Sequence, residues 1–145
     1  MRQSMKYILL LTALLTSGVF ASELDDYKNL ADEDIVYAQF ILGVMYDMGE
    51  GVPENDAEAV KWYRKAADQE HVNAQYNLGI MYANGEGVPE NDIKAHVWYS
   101  MAKTSGNEKA KKNLRILKTE MTKDQIAQAQ ELATKCYESN YKDCD

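Results

Sequence analysis

The sequence predicts an all-α solenoid of antiparallel helix pairs that ends in a C-terminal capping helix. The octapeptide Gly-Glu-Gly-Val-Pro-Glu-Asn-Asp at 49–56 recurs unchanged at 85–92, an offset of 36 residues. Around it, 18 of the 32 positions that align between 38–69 and 74–105 are identical. A period of this length is typical of solenoids, in which each unit buries its apolar face against its neighbours.

Each copy is predicted to form two helices joined by a turn. Apolar residues before the octapeptide follow the spacing i, i+4, i+7, i+8, and those after it follow i, i+3, i+4, i+7, so each set lies on one helical face. Glycines in the block suit positive φ and its proline forbids helix continuation. The first-copy residues on these faces are Ala38, Leu42, Met45 and Tyr46, then Ala59, Trp62, Tyr63 and Ala66.

Helix ends are also marked in the sequence. Asn55 or Asp56 is predicted to cap the second helix, with Glu58 completing a capping box in the first copy only. Thr122 and Gln125 form a similar box before a last apolar face that runs from Ile126 to Cys136. Gly43 and Gly79 are predicted to let paired helices approach closely.

The two copies resemble the Sel1-like repeat, a relative of the tetratricopeptide repeat. The matching pattern is Ala-x-x-x-Leu-Gly-x-x-Tyr, then Gly-x-Gly-Val, then Ala-x-x-Trp-Tyr-x-x-Ala. The resemblance implies a right-handed superhelical solenoid, and it extends to partial units at both ends of the chain. The predicted organisation is a signal peptide at 1–21 and a solenoid at 22–136, made of a half repeat at 22–37, repeats at 38–73 and 74–109 and capping helices at 110–136, followed by a tail at 137–145.

The first 21 residues have the pattern of a secretory signal. Arg2 and Lys6 precede a run of about fourteen mostly apolar residues, too short to span a bilayer, and Val19-Phe20-Ala21 fits a cleavage site. We therefore expect a periplasmic or secreted protein, with no stable membrane insertion after cleavage. The mature chain would carry 14 basic and 23 acidic residues, a net charge of −9. That charge disfavours nucleic acid as a partner.

No pattern in the sequence indicates catalysis, a metal or a cofactor. His71 and His96 are far apart, without ligand spacing, and are expected to be surface or partly packed residues. Cys136 and Cys144 are expected to form a disulfide, the alternative being a buried thiol and a free one. Some secreted relatives with a cysteine pair in every repeat are described as penicillin-binding or β-lactamase-like. The cysteines of this chain lie outside its repeats, which weakens that alternative.

The resemblance implies a protein or peptide partner bound in a concave groove lined by the first helix of each repeat. A non-catalytic interaction module or adaptor is therefore the predicted function. The alternatives are a cell-envelope hydrolase and a structural assembly factor. The acidic segment 23–34 and the basic helix near the C-terminus are expected to be solvated faces. The alternative is that this polarity orients an acidic peptide at the C-terminal end of the groove or drives head-to-tail contact between molecules. The groove positions are Tyr37, Phe40, Val44, Asp47, Met48, Asn73, Tyr76, Ile80, Ala83, Asn84 and Lys112.

Overall fold

The computed structural model describes residues 23–144, and all regular structure in that range is helical. The predicted signal peptide at 1–21 lies outside the described residues, as does the last residue of the tail. Residues 23–32 form α1. The other helices are α2 (Val36–Met48), α3 (Asp56–Ala67), α4 (Val72–Asn84), α5 (Asp92–Thr104), α6 (Glu108–Glu120) and α7 (Lys123–Glu138).

The octapeptide ends one helix and starts the next. Gly49 and Gly85 adopt left-handed backbone at the C-caps of α2 and α4, with φ of 67° and 71°. Asn55 caps α3 by accepting a hydrogen bond from the Glu58 backbone N–H. The predicted box does not close, because the Asn55 backbone N–H donates to the Tyr46 carbonyl oxygen at 2.8 Å, and the Glu58 carboxylate instead contacts Lys61 Nζ at 3.3 Å. The box predicted at Thr122 is present.

The predicted apolar faces form the core. Ala59, Tyr63 and Ala66 are fully buried, and the matching residues of the second copy are buried with them. Within each repeat the second helix packs along the first, α3 on α2 and α5 on α4. Each first helix also packs on the second helix of the preceding repeat, α4 on α3 and α6 on α5. The predicted solenoid of helix pairs is therefore confirmed.

The terminal unit departs from this scheme. Helix α7 follows α6 in the chain but packs extensively on α5, not along α6. The cause lies in two positions where the copies differ. Lys61 and Lys65 are exposed on α3, whereas their counterparts Val97 and Met101 on α5 are buried. An apolar outer face on α5 gives α7 a surface to cover, and burial of that face stabilises the arrangement.

Candidate partner-binding groove

Close helix pairing positions the first helices of the repeats. A Cβ atom built on Gly43 or Gly79 would lie 2.4 Å from the ring of Tyr63 or Tyr99 on the paired second helix. A larger residue at either glycine would push the two helices apart. Because both repeats contain this contact, α2 and α4 are held in equivalent positions, and each turns its remaining surface away from its own second helix.

Groove positions of the first repeat fall into exposed and packed groups. Tyr37 and Met48 are 62% and 63% exposed, so they are available to a partner. Phe40 is half-buried and stacks on His71, with ring centroids 4.4 Å apart. Asp47 accepts a hydrogen bond of 2.9 Å from the hydroxyl of Tyr63. Val44 is half-buried.

In the second repeat a pair of tyrosines reaches the next helix. The rings of Tyr76 and Tyr99 lie 6.1 Å apart, and both hydroxyls are close to Asn113 Nδ2 on α6, at 3.5 and 3.4 Å. Burial raises the pKa of Tyr99, so its hydroxyl stays neutral. Of the other predicted positions, Asn73 is exposed and Ile80 is half-buried.

A cavity of about 400 Å³ lies beside this cluster, between α6 and the turn that joins α4 to α5. Its charged lining residues are all acidic: Glu90, Asp92 and Glu120. Ala83 and Asn84, which the sequence predicted, belong to it. Tyr99, Asn113, Ile116 and Leu117 complete the lining. We call this space the acidic cavity.

Four acidic-cavity residues lie on α6 and none was predicted from the sequence, although the repeat contained the signal for two of them. Ile116 and Glu120 lie 36 residues after Ile80 and Asn84, and so occupy the same positions one unit later. Among the predicted groove positions, Lys112 was the only one on α6.

Lys112 itself lies elsewhere. It lines a second cavity of about 630 Å³ with Lys103, Glu108, Lys111, Leu114, Arg115 and Lys118. We call this the basic cavity. Its only acidic lining residue, Glu108, pairs with Lys111 at 3.3 Å. The two cavities therefore carry charge of opposite sign.

The histidines differ in their surroundings. His71 is half-buried and caps α4 through Nδ1, which accepts from the Ala74 backbone N–H. His96 is 2% exposed, contrary to the expectation of a surface or partly packed residue, because α6 and α7 both pack on α5. Its Nδ1 lies 3.3 Å from Ser100 Oγ. Burial, with a smaller contribution from the charge of Lys118, lowers the pKa of His96 to about 4.

The C-terminal tail is fixed to α7. Cys136 and Cys144 are joined by a disulfide, and both are buried. The loop they close contains Tyr141, which is 7% exposed. Among residues 23–144 there is no group of three or more His, Cys, Asp or Glu side chains placed to hold a metal ion.

No helix within residues 23–144 combines the length and the apolar character that crossing a membrane requires.

Comparison with known proteins identifies the repeat. The Sel1 repeat model matches residues 36–71 and 72–107. These matches start where α2 and α4 start, two residues before the predicted repeat boundaries at 38 and 74. No significant match was found among curated proteins.

Two solved structures are similar in fold and sequence. One is a protective antigen of uropathogenic Escherichia coli strains with an SLR fold, at 33% identity and a TM-score of 0.76 over 81% of this chain. The other is a Sel1 repeat protein from Oxalobacter formigenes, at 32% identity and a TM-score of 0.62 over 69% of this chain. This chain spans 25% of the length of the first and 45% of the second.

Proposed function

This chain is a Sel1 repeat protein, and from that premise we propose that it is an exported, non-catalytic adaptor that binds another protein through the groove of α2, α4 and α6. Sel1 repeat proteins generally mediate protein–protein interaction. The acidic cavity is the observation that carries the proposal for this chain, because it joins three carboxylates to the apolar side chains of Ile116 and Leu117. Such a site suits a peptide segment in which a Lys or Arg follows an apolar residue.

Exposed side chains extend the contact surface beyond the cavity. Tyr37 and Met48 lie at the two ends of α2 and are more than half exposed. Tyrosine and methionine give contact area to a partner without requiring a charged counterpart. A segment lying across the first helices would therefore reach both repeats, with its basic residue in the acidic cavity.

Export is proposed from the sequence of residues 1–21 and is supported by the disulfide, because such bonds persist in oxidising compartments. Protein from a periplasmic or culture-supernatant fraction should begin at Ser22 by N-terminal sequencing. A chain that keeps residues 1–21 and remains in the cytoplasm would contradict export.

Binding is tested by capture from a periplasmic extract, followed by titration of the purified partner. Replacing Glu120 with Lys reverses one charge in the acidic cavity and should weaken binding at least about tenfold, the usual effect of a like charge placed at an interface. Asp124→Lys, an equal change of charge outside the cavity, serves as the matched control. Equal loss in both variants, or none in Glu120→Lys, would contradict binding at the acidic cavity.

The absence of catalysis is tested on the same preparation. A chromogenic β-lactam should show no turnover above that of a control purification from cells lacking the gene. Turnover that copurifies with the chain and disappears when the chain is depleted would favour the hydrolase alternative.

A further inference from the structure

Both ends of the solenoid contain half of a repeat. Helix α1 has the register of a second helix, since Tyr27 and Ala31 lie 36 residues before Tyr63 and Ala67. It is the first helix that the structure describes, and the inference that follows rests on the proposed export, in which the mature chain begins at Ser22 and α1 is its first helix. At the other end α6 has the register of a first helix, and α7 leaves it to pack on α5. In that mature chain, α1 would supply a second helix without a first, and α6 supplies a first helix on which no second helix packs.

The face of α6 that would receive a second helix is open and basic. It forms the basic cavity, and each cation there replaces an uncharged residue of the preceding repeat. Arg115 stands at the position of Gly43 and Gly79, where the paired tyrosine packs in the complete repeats. The remaining replacements are Ala67 by Lys103, Gln75 by Lys111, Tyr76 by Lys112 and Tyr82 by Lys118.

The open face of α1 is acidic with exposed apolar residues. Leu30 is 42% exposed, although its counterparts Ala66 and Ala102 are fully buried. Ile35, which precedes α2, is 46% exposed. The segment 23–34 carries six acidic residues and one lysine. This surface is therefore complementary in charge to the basic cavity and has apolar area to bury.

The repeat register identifies the contacts that such a junction would contain. In the first repeat Gln69 Nε2 donates to Gln39 Oε1 at 2.9 Å, which ties the end of α3 to α2. The corresponding residues at the two ends of the chain are Glu33 and Lys111. The two positions that hold a pair of glutamines within the first repeat therefore hold an acid, Glu33, and a base, Lys111, at the two ends of the chain. By the same register Tyr27 would face Arg115. Because arginine is larger than the glycine of the complete repeats, α1 would lie farther from α6 than α3 lies from α2, with the guanidinium group stacked on the tyrosine ring.

We propose that α1 of a second copy of this chain docks on the open face of α6, in the position of the missing second helix, so that molecules join head to tail. Each junction completes a repeat and continues the solenoid from one molecule into the next. The contact is heterologous, because different surfaces meet, and it leaves one free end of each kind. Assembly therefore proceeds to chains of increasing length, not to a closed dimer. The groove and its acidic cavity take no part in the junction.

Sedimentation velocity of the purified chain tests the proposal. At low salt the weight-average sedimentation coefficient should rise continuously with protein concentration, and high salt should reverse the rise by screening the charges. Reversing the basic cavity with K111E/R115E, or the acidic end with D26K/E33K, should weaken association at least about tenfold. An equimolar mixture of the two variants should associate again, because each supplies the end that the other has lost. Recovery in the mixture also shows that both variants are folded.

A matched control changes the same number of charges away from both ends. K65E/K135E alters α3 and α7 and should associate as the original chain does. A chain that stays monomeric at low salt and high concentration overturns the proposal. So does association that stops at a dimer, or that is unchanged in either end variant. Binding of a glutamate-rich peptide to the basic cavity of a chain that remains monomeric would instead assign that cavity to an acidic partner.

Discussion

Helices α3 and α5 occupy the same position in successive repeats and differ on the face that points away from their own first helix. On α3 this face carries Lys61 and Lys65, which are exposed and lie 5.5 and 4.6 Å from the centroid of the Trp62 ring. On α5 the same positions are Val97 and Met101, 0% and 4% exposed under α7. The residues that the copies share hold a repeat together, and those that differ decide what packs against it.

Exchanging these outer faces should have the largest effect. Val97→Lys places the first-copy residue under α7, and burying an unpaired ammonium should destabilise the fold by about 4 kcal/mol. Chemical denaturation monitored by circular dichroism measures the change. The reverse exchange, Lys61→Val, lies on the exposed face and should change stability by no more than about 0.5 kcal/mol. Equal effects of the two exchanges would mean that α7 does not cover α5.

The second repeat differs from the first because α7 packs on it, and the disulfide is expected to stabilise that helix. Opening the loop between Cys136 and Cys144 should lower stability by about 2.5 kcal/mol, the entropy of closing nine residues. Thermal unfolding with and without reductant measures this, and C136A/C144A should reproduce the reduced value and become insensitive to reductant. If reductant leaves the unfolding temperature unchanged, the tail contributes nothing to α7.

The contact between a glycine of the first helix and a tyrosine of the second is common to both repeats, and substitution of the glycine tests it. Gly79→Ala forces a Cβ against the Tyr99 ring, and overpacking of about 3 kcal/mol, less about 1 kcal/mol of gained helix propensity, leaves a net loss of about 2 kcal/mol. Gly43→Ala should cost the same. Arg115→Ala, at the third equivalent position, should cost almost nothing because no second helix lies there. If Arg115→Ala lowered the unfolding midpoint as much as the two glycine substitutions, or if only one glycine substitution lowered it, the shared register would be contradicted.

His96 should have an effect on stability that depends on pH. The pKa of His96 in the folded chain is about 4, below the usual 6.5. Between these two pH values the unfolded chain therefore binds a proton at His96 and the folded chain does not. Stability should therefore be unaffected above pH 6.5 and fall as pH decreases from 6.5 to 4, by about 1–3 kcal/mol.

His96→Val introduces the residue that α3 has at this position, Val60, and should flatten that part of the stability curve. Midpoints of denaturant unfolding across the range of pH measure the difference between the variant and the original chain. Parallel curves for the two proteins would exclude His96 as the cause.

Identity between the copies predicted the repeat and its internal packing because each shared residue has the same local task twice. The close approach predicted at Gly43 and Gly79 is present, although the sequence did not identify Tyr63 and Tyr99 as the side chains that pack there. The position of α7 was not predictable in the same way. Its apolar face shows that the helix is amphipathic but does not identify the neighbour, and the replacement of Lys61 by Val97 becomes informative only once α7 is seen on α5.

The groove was predicted in part for a related reason. Counting forward by one repeat gives Ile116 and Glu120, yet whether those residues border an open space depends on where α7 goes. Charge runs along the sequence indicated a basic helix near the C-terminus. These charge runs did not predict two cavities of opposite charge. Residues at equivalent repeat positions have different neighbours at the end of the solenoid, as Tyr76 and Lys112 show.

The turns of successive repeats touch, and this limits how the chain can vary in length. Gly87 has a φ of 67°, and a Cβ on it would lie 2.4 Å from the backbone carbonyl oxygen of Asp56, at the start of α3. The second turn thus rests on the end of the first. An insertion in either octapeptide would change the distance between the turns of successive repeats, whereas residues added after Cys144 would leave these turns unchanged. We expect length differences among similar chains to occur as whole repeats of 36 residues or at the C-terminal tail.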